Sequence, residues 1–262
     1  GARDAEGVVI HEELRGRLMY LAFSQKHPEL SKPQVRQAMK YLVDYEGMQN
    51  SFLNGQYTIH QNFLPRTFLG AVNENPFSLN VEKAKALLAE AGVPEGLELT
   101  AGVREAQERI EIAQTFQNAL AQVGIKLNIT VGTAKQILGE YRSRNLDVYI
   151  GAWGPDYPDP HTNAGTFAYN PDNSDAANAT GLLAWRNSWD TGGLTDKTAA
   201  AVVENDRDAR QQMYSDIQAE FRGTSPFAIM FQKIEQAAMR ENVQNVNLGG
   251  ATTAVSYWPI TK

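Results

Sequence analysis

The chain contains no cysteine, which excludes disulfide bonds and thiolate metal sites. It also has no basic excess, because 24 Lys and Arg against 30 Asp and Glu give a formal charge of -6 at pH 7. A nucleic-acid partner normally requires a basic face and is therefore not expected. No apolar run approaches the length of a membrane span, and the short segment Phe227–Phe231 is typical of the longest. At 262 residues, the chain can still bury a substantial core.

Catalytic signatures are absent as well. The sequence has no Gly-x-Ser-x-Gly elbow, no P-loop, no Gly-x-Gly-x-x-Gly after a strand, and no cysteine to serve as a nucleophile. These motifs supply an activated nucleophile or a phosphate cradle, so their absence argues against the common hydrolase and nucleotide-dependent classes. The sequence predicts a binding protein rather than an enzyme, with no cofactor.

Hydrophobic periodicity predicts an α/β fold. Three strands are expected at Leu97–Val103, at Ile125–Val131, where apolar residues alternate strictly, and at Leu146–Ala152. Helical patterns lie between these strands. Thr133 is suited to cap the helix before the third strand, and Asn80 is suited to cap a helix that precedes the first strand. Two successive strand–helix–strand crossovers predict a parallel sheet. Residues 161–193 carry little regular signal, so they are expected to form a surface excursion beside the site.

The segment Asp147–Pro160 holds the strongest functional signal. An apolar run ends at Trp153 and passes directly into a loop with three prolines, Asp156 and Tyr157. Open α/β sheets bind their ligands outside the carboxyl ends of the strands, so this loop lies at a position expected for ligand binding. Its prolines restrict the backbone and make the loop stiff. A carboxylate beside aromatic rings suits a ligand with a positive group and an apolar body.

Four segments in order resemble the periplasmic oligopeptide- and dipeptide-binding proteins, the extracellular solute-binding proteins of family 5 that serve ABC importers. Gly151–Pro160 resembles their GW…DYPDP loop, and Val35–Asp44 resembles their VRQAxxYAID helix. Asn80–Gly92 resembles DPEKAKALLAEAG, and Arg210–Gln218 resembles RxxxYxxxQ. The motifs span roughly residues 18 to 240, and they match the C-terminal lobe of these two-lobed receptors.

The resemblance implies a lobe of the type II periplasmic-binding-protein kind, with a mainly parallel central sheet flanked by helices. Residues 25–231 would form this C-terminal lobe, while residues 1–24 and 232–262 would be the incoming and return segments of a missing N-terminal lobe. An export signal would lie upstream. The receptor would be periplasmic, or extracellular and membrane-anchored, and would deliver a small solute, most simply a peptide, to a membrane permease.

The resemblance also implies roles for particular residues. Asp156 would receive the α-ammonium group of the solute, with Trp153 as a stacking wall and Tyr157 beside them. Trp185 would be a further apolar wall, and Asn187 an amide that reads the solute backbone. Each residue has a structural alternative. Trp153 could pack in the core and Asp156 could cap a turn, while Trp185 and Asn187 could only shape their loop.

Other interpretations remain open. Asp156, Asp159 and His161 could form a metal site of a metal-dependent hydrolase, although prolines hold this segment extended, and Asp159 is better suited to brace the loop through backbone N–H groups. A solute sensor or a chaperone could share the fold. Peptides, opines, sugars and nickel chelates are all open as solutes. Apolar residues of the return segment, Val255, Tyr257 and Trp258, would lose their cover and are expected to promote self-association or to fold back.

Overall fold

A computed structural model describes residues 5–248 and 257–262 of the chain. Within these residues, six strands and nine helices alternate along the sequence. The strands are β1 Val8–Phe23, β2 Tyr57–Ile59, β3 Glu98–Arg104, β4 Lys126–Gly132, β5 Val148–Trp153 and β6 Phe227–Arg240. The helices are α1 Pro33–Tyr41, α2 Tyr45–Asn50, α3 Val81–Glu90, α4 Gln107–Ala121, α5 Ala134–Arg142, α6 His161–Phe167, α7 Leu183–Arg186, α8 Leu194–Val203 and α9 Arg207–Thr224.

All six strands form one sheet in the order β2-β6-β1-β5-β3-β4. The predicted α/β class is confirmed, and β5, β3 and β4 are parallel as the two crossovers require. The sheet as a whole is mixed rather than mainly parallel, which corrects the expectation. β1 runs antiparallel to both β5 and β6, and β2 runs antiparallel to β6. These pairings join segments far apart in the sequence, so local periodicity carries no signal for their direction.

Strand β1 separates two hydrophobic cores. Because side chains alternate across a strand, Met19, Leu21 and Phe23 face one core. Leu18, Tyr20 and Ala22 face the other. The first core contains residues from α1 to α4, and the second contains residues from α5, α6, α8 and α9. Helices therefore cover both faces of the sheet, which explains the continuous apolar run of β1.

The outer halves of β1 and β6 form a two-stranded ribbon. From the pair Val8–Arg240 to the pair Leu14–Ile234, the two strands pair with each other in antiparallel register. Pairing of β1 with β5 begins only at Leu18, so this ribbon extends beyond the β5 side of the sheet. Residues 1–24 were predicted as a connecting segment, but they contain the whole of β1. The buried end of β1, from Leu18 to Phe23, is part of the central sheet. The division into a lobe and two connecting segments remains a prediction.

Residues 161–193 are less peripheral than expected. They contain α6 and α7, and Phe167, Leu183 and Trp189 are buried in the second core. The short helices and their polar connections concealed this contribution, because neither is long enough to display a helical period. The excursion is therefore part of the hydrophobic interior.

The carboxyl-terminal residues are only partly described. Tyr257 and Trp258 are highly exposed, at 74% and 89% of their surface, whereas Val255 lies outside the described residues. A single antiparallel bridge joins Gln244 to Thr261. Among residues 5–248 and 257–262, no helix combines the length and the hydropathy needed to cross a bilayer.

Phe167 provides a test of the second core. It is fully buried and lies edge-on to Tyr20 and Phe227, with ring centroids 5.4 and 5.3 Å away. Phe167→Ala should lower the free energy of unfolding by about 3–5 kcal/mol, because it removes an aromatic ring and leaves a cavity. Urea denaturation of the chain measures this loss. Val203→Ala, at a site 71% exposed, is the control and should change little. Equal effects of the two substitutions would contradict the assignment of Phe167 to a packed core.

Candidate ligand-binding cleft

A cleft of about 620 Å³ opens where β3 and β5 end, on the side of the sheet that also carries α4. Its lining residues come from β1, β3, α4, β5, the loop after β5, and β6. They are Arg15, Gly16, Arg17, Arg104, Arg109, Ala152, Gly154, Pro155, Asp156, Lys233 and Glu235. β3 and β5 are parallel, so their carboxyl ends meet at the same edge of the sheet. This is the edge at which α/β proteins bind ligands.

A bulge in β1 forms one wall of the cleft. The register with β6 shifts between Leu14 and Leu18, so β1 has extra residues at Arg15–Arg17. The side-chain amide of Gln232 donates to the Arg15 carbonyl across this irregularity at 2.8 Å. Bulges redirect side chains and are frequent beside binding sites. Here, the bulge brings two arginines to the mouth of the cleft.

Asp156 lies on the loop that follows β5, and it lines the cleft. Its backbone N–H donates to the Thr162 hydroxyl at 3.1 Å, and the preceding Pro155 is buried, so the backbone is fixed on both sides. The Asp156 side chain is exposed, and its carboxylate makes no hydrogen bond or ion pair with another described residue. Asp156 therefore offers an unpaired carboxylate on a fixed backbone.

The second aspartate of the loop, Asp159, is fully engaged. Its carboxylate accepts two hydrogen bonds from the Arg210 guanidinium, both at 2.9 Å, and one from the His161 backbone N–H at 2.8 Å. Burial raises the pKa of the Asp159 carboxyl, but the hydrogen bonds from Arg210 and His161 outweigh burial and hold that pKa below its ordinary value. The predicted bracing role of Asp159 is confirmed. The contribution of Arg210, on α9, was not anticipated.

Two predicted aromatic residues lie differently. Ala152 and Gly154 line the cleft, whereas Trp153, between them, packs against the second core, with its ring centroid 6.4 Å from that of Phe167. Successive residues of a strand point to opposite faces, so Trp153 cannot share the face of its two neighbours. Its role as a stacking wall of the cleft is not supported. Tyr157 is 46% exposed on the same loop as Asp156 and remains a candidate contact.

Trp185 and Asn187 are interior residues, and their predicted contacts with a solute are not supported. The Trp185 indole is 4% exposed, stacks on the Arg144 guanidinium at 3.7 Å, and donates to the Ser174 carbonyl. The Asn187 amide is 2% exposed and donates to the Tyr141 hydroxyl at 2.6 Å. Their polar groups are therefore committed inside the fold. The structural alternative, in which both residues shape the loop, accounts for their placement.

The alternative metal site also lacks support. Within the described part of the chain, no group of three or more His, Asp or Glu side chains is arranged to hold a metal ion. Asp159 already pairs with Arg210, so a metal would have to displace a bidentate ion pair.

Sequence reasoning missed the cationic side chains of the cleft. Arg104 ends β3, and the rule that ligands gather at the carboxyl ends of strands could have identified it. Arg109 lies on the buried stripe of α4 with Ile112, Ala113 and Phe116, and a charged residue on an apolar stripe is itself a signal. Lys233 had no local signal, because only the pairing of β6 with β1 brings it to the cleft.

The chain has the α/β fold of the periplasmic-binding-protein class, with a candidate ligand cleft at the carboxyl ends of its parallel strands. The model of the bacterial extracellular solute-binding proteins, family 5 (Middle), matches residues 2–175, more than half of the chain. The chain therefore belongs to this family, as its four motifs indicated.

Similar proteins agree with this assignment. The chain is 24% identical over 239 residues to di/tripeptide-binding protein 1 of Pseudomonas aeruginosa (strain UCBPP-PA14), a match that covers 88% of the chain and 43% of that protein. The structure of HbpA2 from Haemophilus parasuis has a TM-score of 0.86 at 21% identity. That match covers 99% of the present chain and 51% of the HbpA2 chain. A dipeptide-binding protein from Pseudoalteromonas sp. SM9913, in complex with Met-Leu, has a TM-score of 0.81 at 20% identity. That match covers 100% of the present chain and 51% of the dipeptide-binding protein. The chain thus spans about half the length of these proteins.

The two aspartates of the loop should respond differently to neutralisation. Asp159→Asn should lower the free energy of unfolding at pH 7 by about 1–2 kcal/mol, because it weakens hydrogen bonds to a charged partner at a site that is partly exposed. Asp156→Asn is the matched control and should leave stability almost unchanged, since its carboxylate has no partner among the described residues.

The effect of Asp159→Asn should also depend on pH. Because the pKa of Asp159 is lowered in the folded state, its stabilisation is present above the unfolded pKa of about 3.9 and is lost as pH falls through the lower folded value. Denaturant titrations between pH 7 and pH 3 should show the difference between the native chain and Asp159→Asn shrinking at the acid end. A constant difference would rule out the ionised pair as its source.

Proposed function

We propose that this chain is the C-terminal ligand-binding lobe of the solute-binding receptor of an ABC importer. A second lobe would close over the cleft, and the solute would be held between the two lobes by hinge closure. The solute carries an ammonium group and is most simply a small peptide. The lobe acts by binding and release, without catalysis or a cofactor.

The observation that carries the proposal is the unpaired carboxylate of Asp156 in the cleft. An ionised group without a partner is strongly solvated in the open lobe, and closure of a second lobe would remove that water. An ammonium group of the solute would then replace the lost hydration through a charge-assisted hydrogen bond. Bracing of the loop by Asp159 and Arg210 keeps the carboxylate in position before the solute arrives.

The partners follow from membership of the family. Extracellular solute-binding proteins work outside the cytoplasmic membrane, so we infer a periplasmic or membrane-anchored extracellular location and delivery to a membrane permease. The peptide binding named for the similar Pseudomonas and Pseudoalteromonas proteins supports a peptide as the solute. The net charge of -6 disfavours nucleic acid as a partner.

Self-association of the isolated chain remains a proposal. Tyr257 and Trp258 are exposed near the carboxyl terminus, and exposed apolar patches often mark protein–protein contacts. Light scattering of the chain, and of a variant with both residues changed to serine, measures this: dimerisation that the variant loses is expected, and a monomer in both cases would contradict it.

Asp156→Asn tests the proposed function in the complete receptor. Native receptor should gain thermal stability from a small peptide, because a ligand that binds only the folded state stabilises it. Asp156→Asn should weaken peptide binding about 10- to 100-fold, the range expected for loss of a charge-assisted hydrogen bond. Calorimetric titration with a dipeptide library measures both receptors, with Asp190→Asn, an exposed aspartate outside the cleft, as the control. Unchanged affinity in Asp156→Asn would exclude this carboxylate as the anchor.

A further inference from the structure

The cleft is cationic although the chain as a whole carries a charge of -6. Five basic side chains line it against two acidic ones, namely Arg15, Arg17, Arg104, Arg109 and Lys233 against Asp156 and Glu235. Arg15 lies 3.7 Å from Glu235, so these two charges compensate each other. Asp156 then remains as the second acidic residue of the cleft, against four basic ones.

Arg109 is the most unusual of these residues. It lies in the first turn of α4 and is only 3% exposed. Its Nε and Nη1 atoms are buried and have no hydrogen-bond partner within the described residues. Burial of a charged group without a partner is costly, so such groups are normally paired. Arg109 nevertheless lines the cleft, so a buried charge with two unsatisfied donors lies at the cleft wall.

The surroundings of Arg109 add to this cost. Burial is the main cause that lowers the pKa of Arg109. Tyr149 opposes this shift, the nearby positive charges of Arg104 and Arg17 lower the pKa further, and Glu108 has a smaller raising effect. Glu108 makes no ion pair with Arg109 among the described residues, and Glu235 is engaged with Arg15. Arg17, Arg104 and Arg109 thus line one cleft, and within the described residues none of them forms an ion pair with a carboxylate.

An anionic group from outside the lobe would resolve this imbalance. It would pair with the guanidinium groups of Arg17, Arg104 and Arg109 at the cleft wall, and it would reduce the repulsion among them. A zwitterionic solute with one ammonium and one carboxylate has no net charge and would leave the positive excess of the cleft unchanged. A solute with a net negative charge would complement it.

Resting on the proposed function, we propose that the solute is net anionic, and that Arg109, flanked by Arg17 and Arg104, binds its additional carboxylate or phosphate group while Asp156 holds its ammonium group. The two subsites lie in one cleft, so the charge pattern of the solute is read from both ends. Carboxylate and phosphate share the required chemistry, because the fork of an arginine donates two parallel hydrogen bonds to either.

Matched dipeptides test this proposal in the complete receptor. Ala-Glu and Ala-Gln are nearly identical in shape and differ by one negative charge, and Ala-phosphoserine with Ala-Ser provides the phosphate arm. The native receptor should bind the acidic member of at least one pair about tenfold or more tightly than its neutral counterpart. The pair with the larger ratio distinguishes a carboxylate from a phosphate. Arg109→Met should reduce that ratio to within about twofold, whereas Arg207→Met, at an exposed position outside the cleft, should preserve it.

A second measurement separates a binding role of Arg109 from a structural one. Without ligand, Arg109→Met should unfold at the same temperature as the native receptor or a higher one, since it removes an unpaired buried charge. A lower unfolding temperature together with an unchanged acidic-to-neutral ratio would overturn the proposal and assign Arg109 to an internal pair with the second lobe. Equal affinities of the native receptor for acidic and neutral members of both pairs would also overturn it.

Failure of the proposed function has a different signature. If no dipeptide binds, the peptide assignment fails, and inorganic phosphate alone becomes the probe. At constant ionic strength, phosphate should then raise the unfolding temperature of the native receptor and of Arg207→Met, but not that of Arg109→Met. The same response in all three would overturn the anion subsite as well.

Discussion

The position of β1 between β5 and β6 is the constraint on which the rest of the structure depends. Every residue from Leu18 to Phe23 is buried, and alternate side chains supply the two cores. Antiparallel pairing with β5 at Leu18 and Trp153 sets where β5 ends, and the bulge just before Leu18 faces that end. The cleft thus lies where the pairing of β1 with β5 begins and the pairing of β1 with β6 is interrupted by the bulge. Its geometry follows from strand register rather than from flexible loops.

The loop after β5 places its two aspartates in different environments. Asp159 is committed to Arg210 and to the His161 backbone, which ties the loop to α9 and stabilises its form. Asp156, three residues earlier, has no such commitment and lines the cleft. A rigid loop that leaves one carboxylate unpaired reduces the ordering cost of binding. Two identical residue types, three positions apart, thus differ in whether the fold uses their carboxylates.

Local patterns predicted the parallel half of the sheet, and long-range pairing determined the remainder. Asn80 and Thr133 accept hydrogen bonds as helix caps, because capping is decided within three residues. The antiparallel partners of β1 were not predictable, since β6 lies about two hundred residues away along the chain. For the site, position after a strand identified Asp156. Because side chains alternate along β5, Trp153 faces the second core and not the cleft. This placement depends on the register of β5, which the residue types of the strand do not reveal.

The paired outer halves of β1 and β6 have a mechanical consequence. Ladder hydrogen bonds join these strands from Val8 to Leu14, so neither strand can shift along its axis without the other. Force applied to one is shared by both, and sliding is suppressed, while twisting and bending of the ribbon remain soft. The ribbon is continuous with the bulge that carries Arg15 and Arg17, so a change in its twist would be transmitted to the cleft wall that these residues form.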